Sequence, residues 1–129
     1  MTLPTYVVTG ASKGIGRSLA IQMAQQGYTV FALARPSDDL TEVEGILKAS
    51  SKHSMSIECD LGHLDSVAAA AETIDAHTDF ISGLVHNAGA IAPVKPMQAA
   101  NADDWSRSLH VNLIGVQALT QHLYHLLGG

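Results

Sequence analysis

Thr9-Gly10-Ala11-Ser12-Lys13-Gly14-Ile15-Gly16 is the stretch on which the fold turns. The apolar run Tyr6-Val7-Val8 leads into it, and Ile15, Leu19, Ala20, Met23 and Ala24 recur behind it at helical spacing. An apolar run that ends in glycines and opens a helix reads as a buried strand, a tight turn and an amphipathic helix from Gly14 to Gln26. Gly10 lets the chain turn out of the strand, Gly14 lets backbone approach a diphosphate, and Gly16 lets the helix pack closely on the sheet. The start of such a helix offers unbonded N–H groups and a partial positive charge, which together favour phosphate. Gly27 follows where a left-handed cap is wanted.

Outward from this unit the same alternation repeats. Tyr28 to Ala34 is a second apolar run, followed by a weaker helical pattern from Asp38 to Ala49. Asp38 or Asp39 is expected to cap that helix, and Gly45 sits inside it. Met55 to Asp60 forms a third run, and Leu64, Val67, Ala68, Ala71 and Ile74 mark the helix behind it. Phe80 to His86 is the fourth, ending in Asn87-Ala88-Gly89, and a loop with Pro93 and Pro96 follows. One long helix is expected over 102–127, carrying Trp105, Leu109, Leu113, Val116, Leu119, Leu123 and Leu126, with Trp105 as a packing anchor. Continuous apolar strands alternating with helices imply an α/β domain with a parallel sheet covered on both faces. Right-handed crossovers then give the strand order 3-2-1-4, the first half of a doubly wound, Rossmann-like nucleotide-binding sheet.

With 129 residues the chain has room for a single domain, 1–129. Its 47% hydrophobic and 15% charged residues indicate a folded core rather than disorder. A net charge of −5 argues against a nucleic-acid partner, which would need a basic face. No apolar run reaches the length of a membrane span, and MTLPTYVV lacks the pattern of a signal peptide. The single cysteine, Cys59, excludes an internal disulfide, so a reducing, cytoplasmic location is the expectation.

Several further residues are candidates for binding. Position 35, 19 residues past Gly16, is where an acidic residue would accept from a ribose 2′-hydroxyl. It holds Arg35, whose forked donors suit a 2′-phosphate, with Lys13 and Arg17 adding charge nearby; a solvated surface arginine is the alternative. Asp60-Leu61 ends the third strand at the rim of the glycine turn. Asp60 either accepts from an adenine amino group, with Leu61 packing on the base, or caps the local loop or helix. Asn87-Ala88-Gly89 reads either as a small-residue platform for a flat ligand or as an ordinary turn. Of the seven histidines, His122 and His125 lie one helical turn apart, but no cysteine or carboxylate stands at ligand spacing with them, so no metal is expected. Cys59 is expected to be a buried thiol.

Taken in order and spacing, Thr9-Gly10-x-x-x-Gly14-Ile15-Gly16, Asp60-Leu61, Asn87-Ala88-Gly89 and His110-Val111-Asn112 resemble the short-chain dehydrogenase/reductase family along the whole chain. The resemblance implies an oxidoreductase moving hydride between NAD(P) and a small alcohol or carbonyl compound. It implies that Gly10, Ser12, Lys13, Gly14, Ile15 and Gly16 hold the adenosine and diphosphate end. Arg35 then marks a preference for NADP(H) over NAD(H). Asp60 and Leu61 flank adenine, and Asn87, Ala88 and Gly89 line the adenosine ribose side. Asn112 matches the family's helix asparagine, a member of the catalytic set that holds a water in the proton relay. The same resemblance calls for a serine and a Tyr-x-x-x-Lys pair beyond Asn112. The sequence given ends at Gly128-Gly129, before the expected fifth strand, and the fourth residue after Tyr124 is Gly128. The chain is therefore expected to be the first half of a family member, inactive alone, and a homo-oligomer if full-length. The competing expectations are a non-catalytic dinucleotide-binding module and an assembly module that needs a partner chain.

Overall fold

The computed structural model describes residues 4–89, 97–99 and 101–127. Four strands, β1 (Thr5–Thr9), β2 (Thr29–Ala34), β3 (Met55–Glu58) and β4 (Gly83–Val85), form one parallel sheet in the order β3-β2-β1-β4. Between them lie α1 (Gly14–Gln25), α2 (Asp38–Ser50) and α3 (Leu64–His77). After β4 come a 3₁₀ turn (Met97–Ala99), α4 (Ala102–Leu109), a π-helical turn (His110–Ile114), α5 (Gly115–Leu123) and a last 3₁₀ turn (Tyr124–Leu126). This is the Rossmann-like order read from the alternation of apolar runs.

Side chains on a strand alternate between faces, and here both faces are dry. Val7, Phe31, Leu33 and Ile57 point to one layer, where they meet Val67, Ala71 and Ile74 of α3 and Leu119 and Leu123 of α5. Val8, Val30 and Ala32 point to the other, against Ala20 and Ala24 of α1 and Val43 and Leu47 of α2. The register aligns Val7 with Phe31 and with Leu84, and Phe31 with Met55, so the large side chains stack in one row across the sheet.

Gly27 has φ +87°, the left-handed geometry expected of it behind α1. Other local expectations need correction. Ser37, not Asp38 or Asp39, caps α2: its backbone is extended and its Oγ accepts from the Leu40 N–H at 3.1 Å. The two aspartates fall in the first turn, where their charge complements the helix dipole. The fourth strand is shorter than the apolar run Phe80 to His86, because Ile81 leaves the pairing with β1 and bridges Leu127 in parallel. The expected single helix over 102–127 is broken by the π-helical turn. Trp105, expected as a packing anchor, is 43% exposed. The loop expected around Pro93 and Pro96 and the turn expected at Gly128-Gly129 lie outside the described residues. No helix among the described residues is long and apolar enough to cross a membrane.

Loss of the Ser37 cap leaves an N–H of α2 without its partner. Ser37→Ala is expected to destabilise the chain by about 1 kcal/mol in denaturant unfolding. An unchanged midpoint and slope overturns this account of the helix start.

Candidate functional site

In a parallel sheet of this winding, ligands meet the carboxyl ends of the strands where the order reverses, here between β1 and β4. A cleft of about 830 Å³ opens at that rim. Its floor is Thr9 and Gly10 after β1, its β2 side includes Arg35, and its β3 side includes Asp60 and Leu61. Ala88 and Gly89 follow β4, and Arg107 and Val111 reach in from the helical layer.

Gly10 and Gly14 have φ of +63° and +58°, a region that an L side chain enters only with strain, so the turn between β1 and α1 depends on both. Gly16 is where α1 meets the turn: a Cβ there would run into the Gly10 carbonyl and the Asn87 side chain. The helix start carries no acidic residue and no side-chain cap, so side chains leave its first N–H groups to the cleft. Those are the conditions an anion requires.

Thr9 fastens the rim together. Its Oγ1 accepts from the N–H groups of Asn87 and Ala88, both at 3.1 Å, and donates to the Val85 carbonyl at 3.4 Å. One hydroxyl thereby uses its full capacity on the end of β4. Asn87 returns the link, donating from Nδ2 to the Gly10 carbonyl at 3.2 Å. The segment Asn87-Ala88-Gly89 is thus held against the glycine turn. A hydroxyl at the end of the first strand is the only signal of this role in the sequence.

The positive groups separate in space. Arg17 pairs with Glu42 at 3.0 Å and Lys13 with Asp39 at 3.5 Å. Arg35 lines the cleft and makes no ion pair among the described residues. Of the two cations expected near Arg35, each is thus partnered by a carboxylate of α2.

Asp60 sits in a network that sequence reasoning missed. Arg107 approaches it with Nη2 3.1 Å from Oδ1 and Nη1 3.4 Å from Oδ2. The Gly62 N–H donates to Oδ1 at 2.9 Å, and His63 Nε2 stands 3.7 Å from Oδ2. Partial burial pushes the carboxyl's pKa up, but the Gly62 N–H, the Arg107 guanidinium and His63 outweigh it and hold Asp60 below its ordinary value. Forty-seven residues separate the pair, so no local pattern announces it. The only hint is that Arg107 is the sole lysine or arginine after Lys95.

Cys59 is buried and its thiol pKa is pushed up to about 11, by burial first and by the Asp60 charge second. At neutral pH its thiolate fraction is then about 1 in 10⁴. Alkylation of the folded chain by iodoacetamide is expected to be at least ~100-fold slower than in denaturant; equal rates refute the burial.

Asn112 lies in the π-helical turn, which the Gly115 N–H closes by donating to the His110 carbonyl five residues back. Gly115 also lets the helix approach the Leu61 carbonyl, which a Cβ would strike. Asn112 Nδ2 donates to Ser108 Oγ at 3.2 Å, and its Oδ1 lies 3.1 Å from where a Cβ on Gly89 would stand. The structure thus brings Asn112 to the end of the Asn87-Ala88-Gly89 segment. Ser12 and Lys13 line the cleft, whereas Ile15 is exposed and is not part of its lining. Of the histidine pair, His125 is met by Asp75 of α3 at 2.7 Å, a carboxylate that spacing along the last helix does not reveal.

Comparison with known proteins gives one consistent result. The model of the family described as short chain dehydrogenase matches residues 4–128. The NADPH-dependent pterin aldehyde reductase of Arabidopsis thaliana is 32% identical over 123 residues, which are 95% of this chain and 50% of that protein. The benzil reductase ((S)-benzoin forming) of Bacillus subtilis (strain 168) is 32% identical over 120 residues, 90% of this chain and 46% of that one. Among solved structures, a short chain dehydrogenase from Salmonella enterica serovar Typhi superposes with a TM-score of 0.86 at 31% identity, over 98% of this chain and 53% of that one. The chain spans about half the length of these relatives.

Proposed function

The chain belongs to the short-chain dehydrogenase family, and from that membership we propose that its cleft holds NADP(H) as the cofactor-binding half of an oxidoreductase acting on a small alcohol or carbonyl compound. The observation that carries the reading is Arg35, a cation without an ion pair among the described residues, lining the same cleft as an uncapped helix start. The residues fit the group. Gly10, Ser12, Lys13, Gly14, Ile15 and Gly16 take the diphosphate end, and Arg35 takes the 2′-phosphate. Asp60 and Leu61 flank the base, and Asn87, Ala88 and Gly89 lie along the adenosine ribose. When bound, the dinucleotide supplies or accepts the hydride. Asn112 orders a water for the proton relay. The relative from Arabidopsis is NADPH-dependent by its name, which supports the phosphate-bearing cofactor.

No tyrosine in the sequence has a lysine four residues on: the corresponding positions after Tyr6, Tyr28 and Tyr124 are Gly10, Ala32 and Gly128. We therefore propose that these 129 residues bind dinucleotide without turning it over, because an asparagine delivers no proton at neutral pH and orientation at the nicotinamide end is a large part of the rate. Calorimetry with NADPH and NADH is expected to show binding of both, tighter for NADPH. An absorbance assay with NADPH and a panel of aldehydes, ketones and quinones is expected to show no oxidation above buffer. Absence of binding overturns the cofactor reading, and steady turnover lost in Asn112→Ala overturns the proposed inactivity.

The end of α4 and the π-helical turn favour a second, compatible reading. Leu109, Leu113 and Ile114 are exposed along that stretch, and another subunit would cover this surface. Light scattering of the purified chain decides this: a monomer at all concentrations removes the reading.

A further inference from the structure

Outside the glycine turn, the most constrained polar group in the cleft is Asp60, and the constraint comes from far along the chain. Its backbone N–H donates to Ser66 Oγ at 2.8 Å, which fixes the main chain. Oδ1 accepts from the Gly62 N–H and has Arg107 Nη2 at 3.1 Å as its ion-pair partner, and Oδ2 accepts from Arg107 Nη1. A carboxylate offers about four acceptor positions. The Gly62 N–H and Arg107 Nη1 take two of them, Arg107 Nη2 and His63 Nε2 stand at ion-pair distance, and acceptor capacity remains for a donor from the cleft. Gly62 makes the approach possible, since a Cβ there would run into the guanidinium. The capping box between Asn101 and Asp104 fixes the start of α4 and so the position from which Arg107 reaches across.

A partly exposed ion pair contributes little to stability, so stability alone does not account for the arrangement. We propose that Arg107 is a positioning residue for base recognition: it holds the Asp60 carboxylate in one orientation, so that the cleft selects a base bearing an exocyclic amine. The inference rests on the dinucleotide reading of the cleft. An amine donates to that remaining capacity, whereas a carbonyl oxygen in its place meets a carboxylate oxygen and is repelled. Without the guanidinium the carboxylate turns about its side-chain bonds and the distinction weakens. Lysine keeps the charge and loses the two-pronged hold.

The test is calorimetry with NADPH and with its hypoxanthine analogue, in which a carbonyl replaces the adenine amine. The unmodified chain is expected to bind NADPH about tenfold more tightly than the analogue. Arg107→Ala is expected to bring that ratio close to 1, with the analogue's affinity changed less than about threefold, and Arg107→Lys to fall between. A purely structural role moves both ligands together and leaves the ratio, which overturns the proposal. So does an unmodified chain that binds both forms equally. Failure of the unmodified chain to bind either form instead overturns the dinucleotide reading and the inference with it.

Discussion

Gly16→Val is expected to abolish dinucleotide binding and to destabilise the chain by about 3 kcal/mol, as overpacking against unyielding atoms does. The side chain would be built where the Gly10 carbonyl and the Asn87 amide stand. The first is backbone of the turn and the second is the cross-link to the end of β4, so relief requires the start of α1 to move off the sheet. That shift withdraws the N–H groups from the phosphates even if the rest of the fold survives. Gly45→Ala is the matched control. It lies inside α2 with no atom within 4 Å of the new methyl, and is expected to gain about 0.5–1 kcal/mol from helix propensity. Denaturant unfolding and calorimetry with NADPH read both outcomes. Unchanged affinity in Gly16→Val disposes of the diphosphate assignment.

Arg35→Asp is expected to reverse the cofactor preference, with the ratio of NADPH to NADH affinity falling by about 100-fold. The lost interaction is a charge-assisted contact, and the new carboxylate both repels a 2′-phosphate and accepts from a free 2′-hydroxyl. Lys13 cannot fully compensate, because its ammonium is shared with Asp39 and most of its side chain is in solvent. Titration by calorimetry at two salt concentrations checks this, since a screened charge effect shrinks at high salt. A ratio that does not change removes Arg35 from the 2′-phosphate role and leaves it a surface arginine.

The sheet was legible because its rules are local and repetitive. Each of the four apolar runs is too short for a helix and is followed by an apolar stripe at helical period, and right-handed crossovers leave one economical order for such units. The glycine turn was legible for the same reason: Gly10, Gly14 and Gly16 meet steric demands set within eight residues. Helix ends were less so. Ser37, Asp38 and Asp39 are all competent caps, and only the backbone path out of β2 selects Ser37. The π-helical turn was invisible in the spacing of Leu109, Leu113 and Val116. It arises where Gly115 settles on the Leu61 carbonyl, a contact between segments more than fifty residues apart.

Within the cleft the same division holds. Residue order already sets which residue types stand at the strand ends: small residues after β1 and β4, a cation after β2 and a carboxylate after β3. Tertiary structure alone decided which charges remain available there. It committed Arg17 to Glu42 and Lys13 to Asp39, left Arg35 in the cleft, and bound Asp60 to an arginine on a distant helix. The physical reason is that ion pairs carry no signature in sequence spacing; they depend on where packed helices bring side-chain ends, and that is set by the cores on the two faces of the sheet.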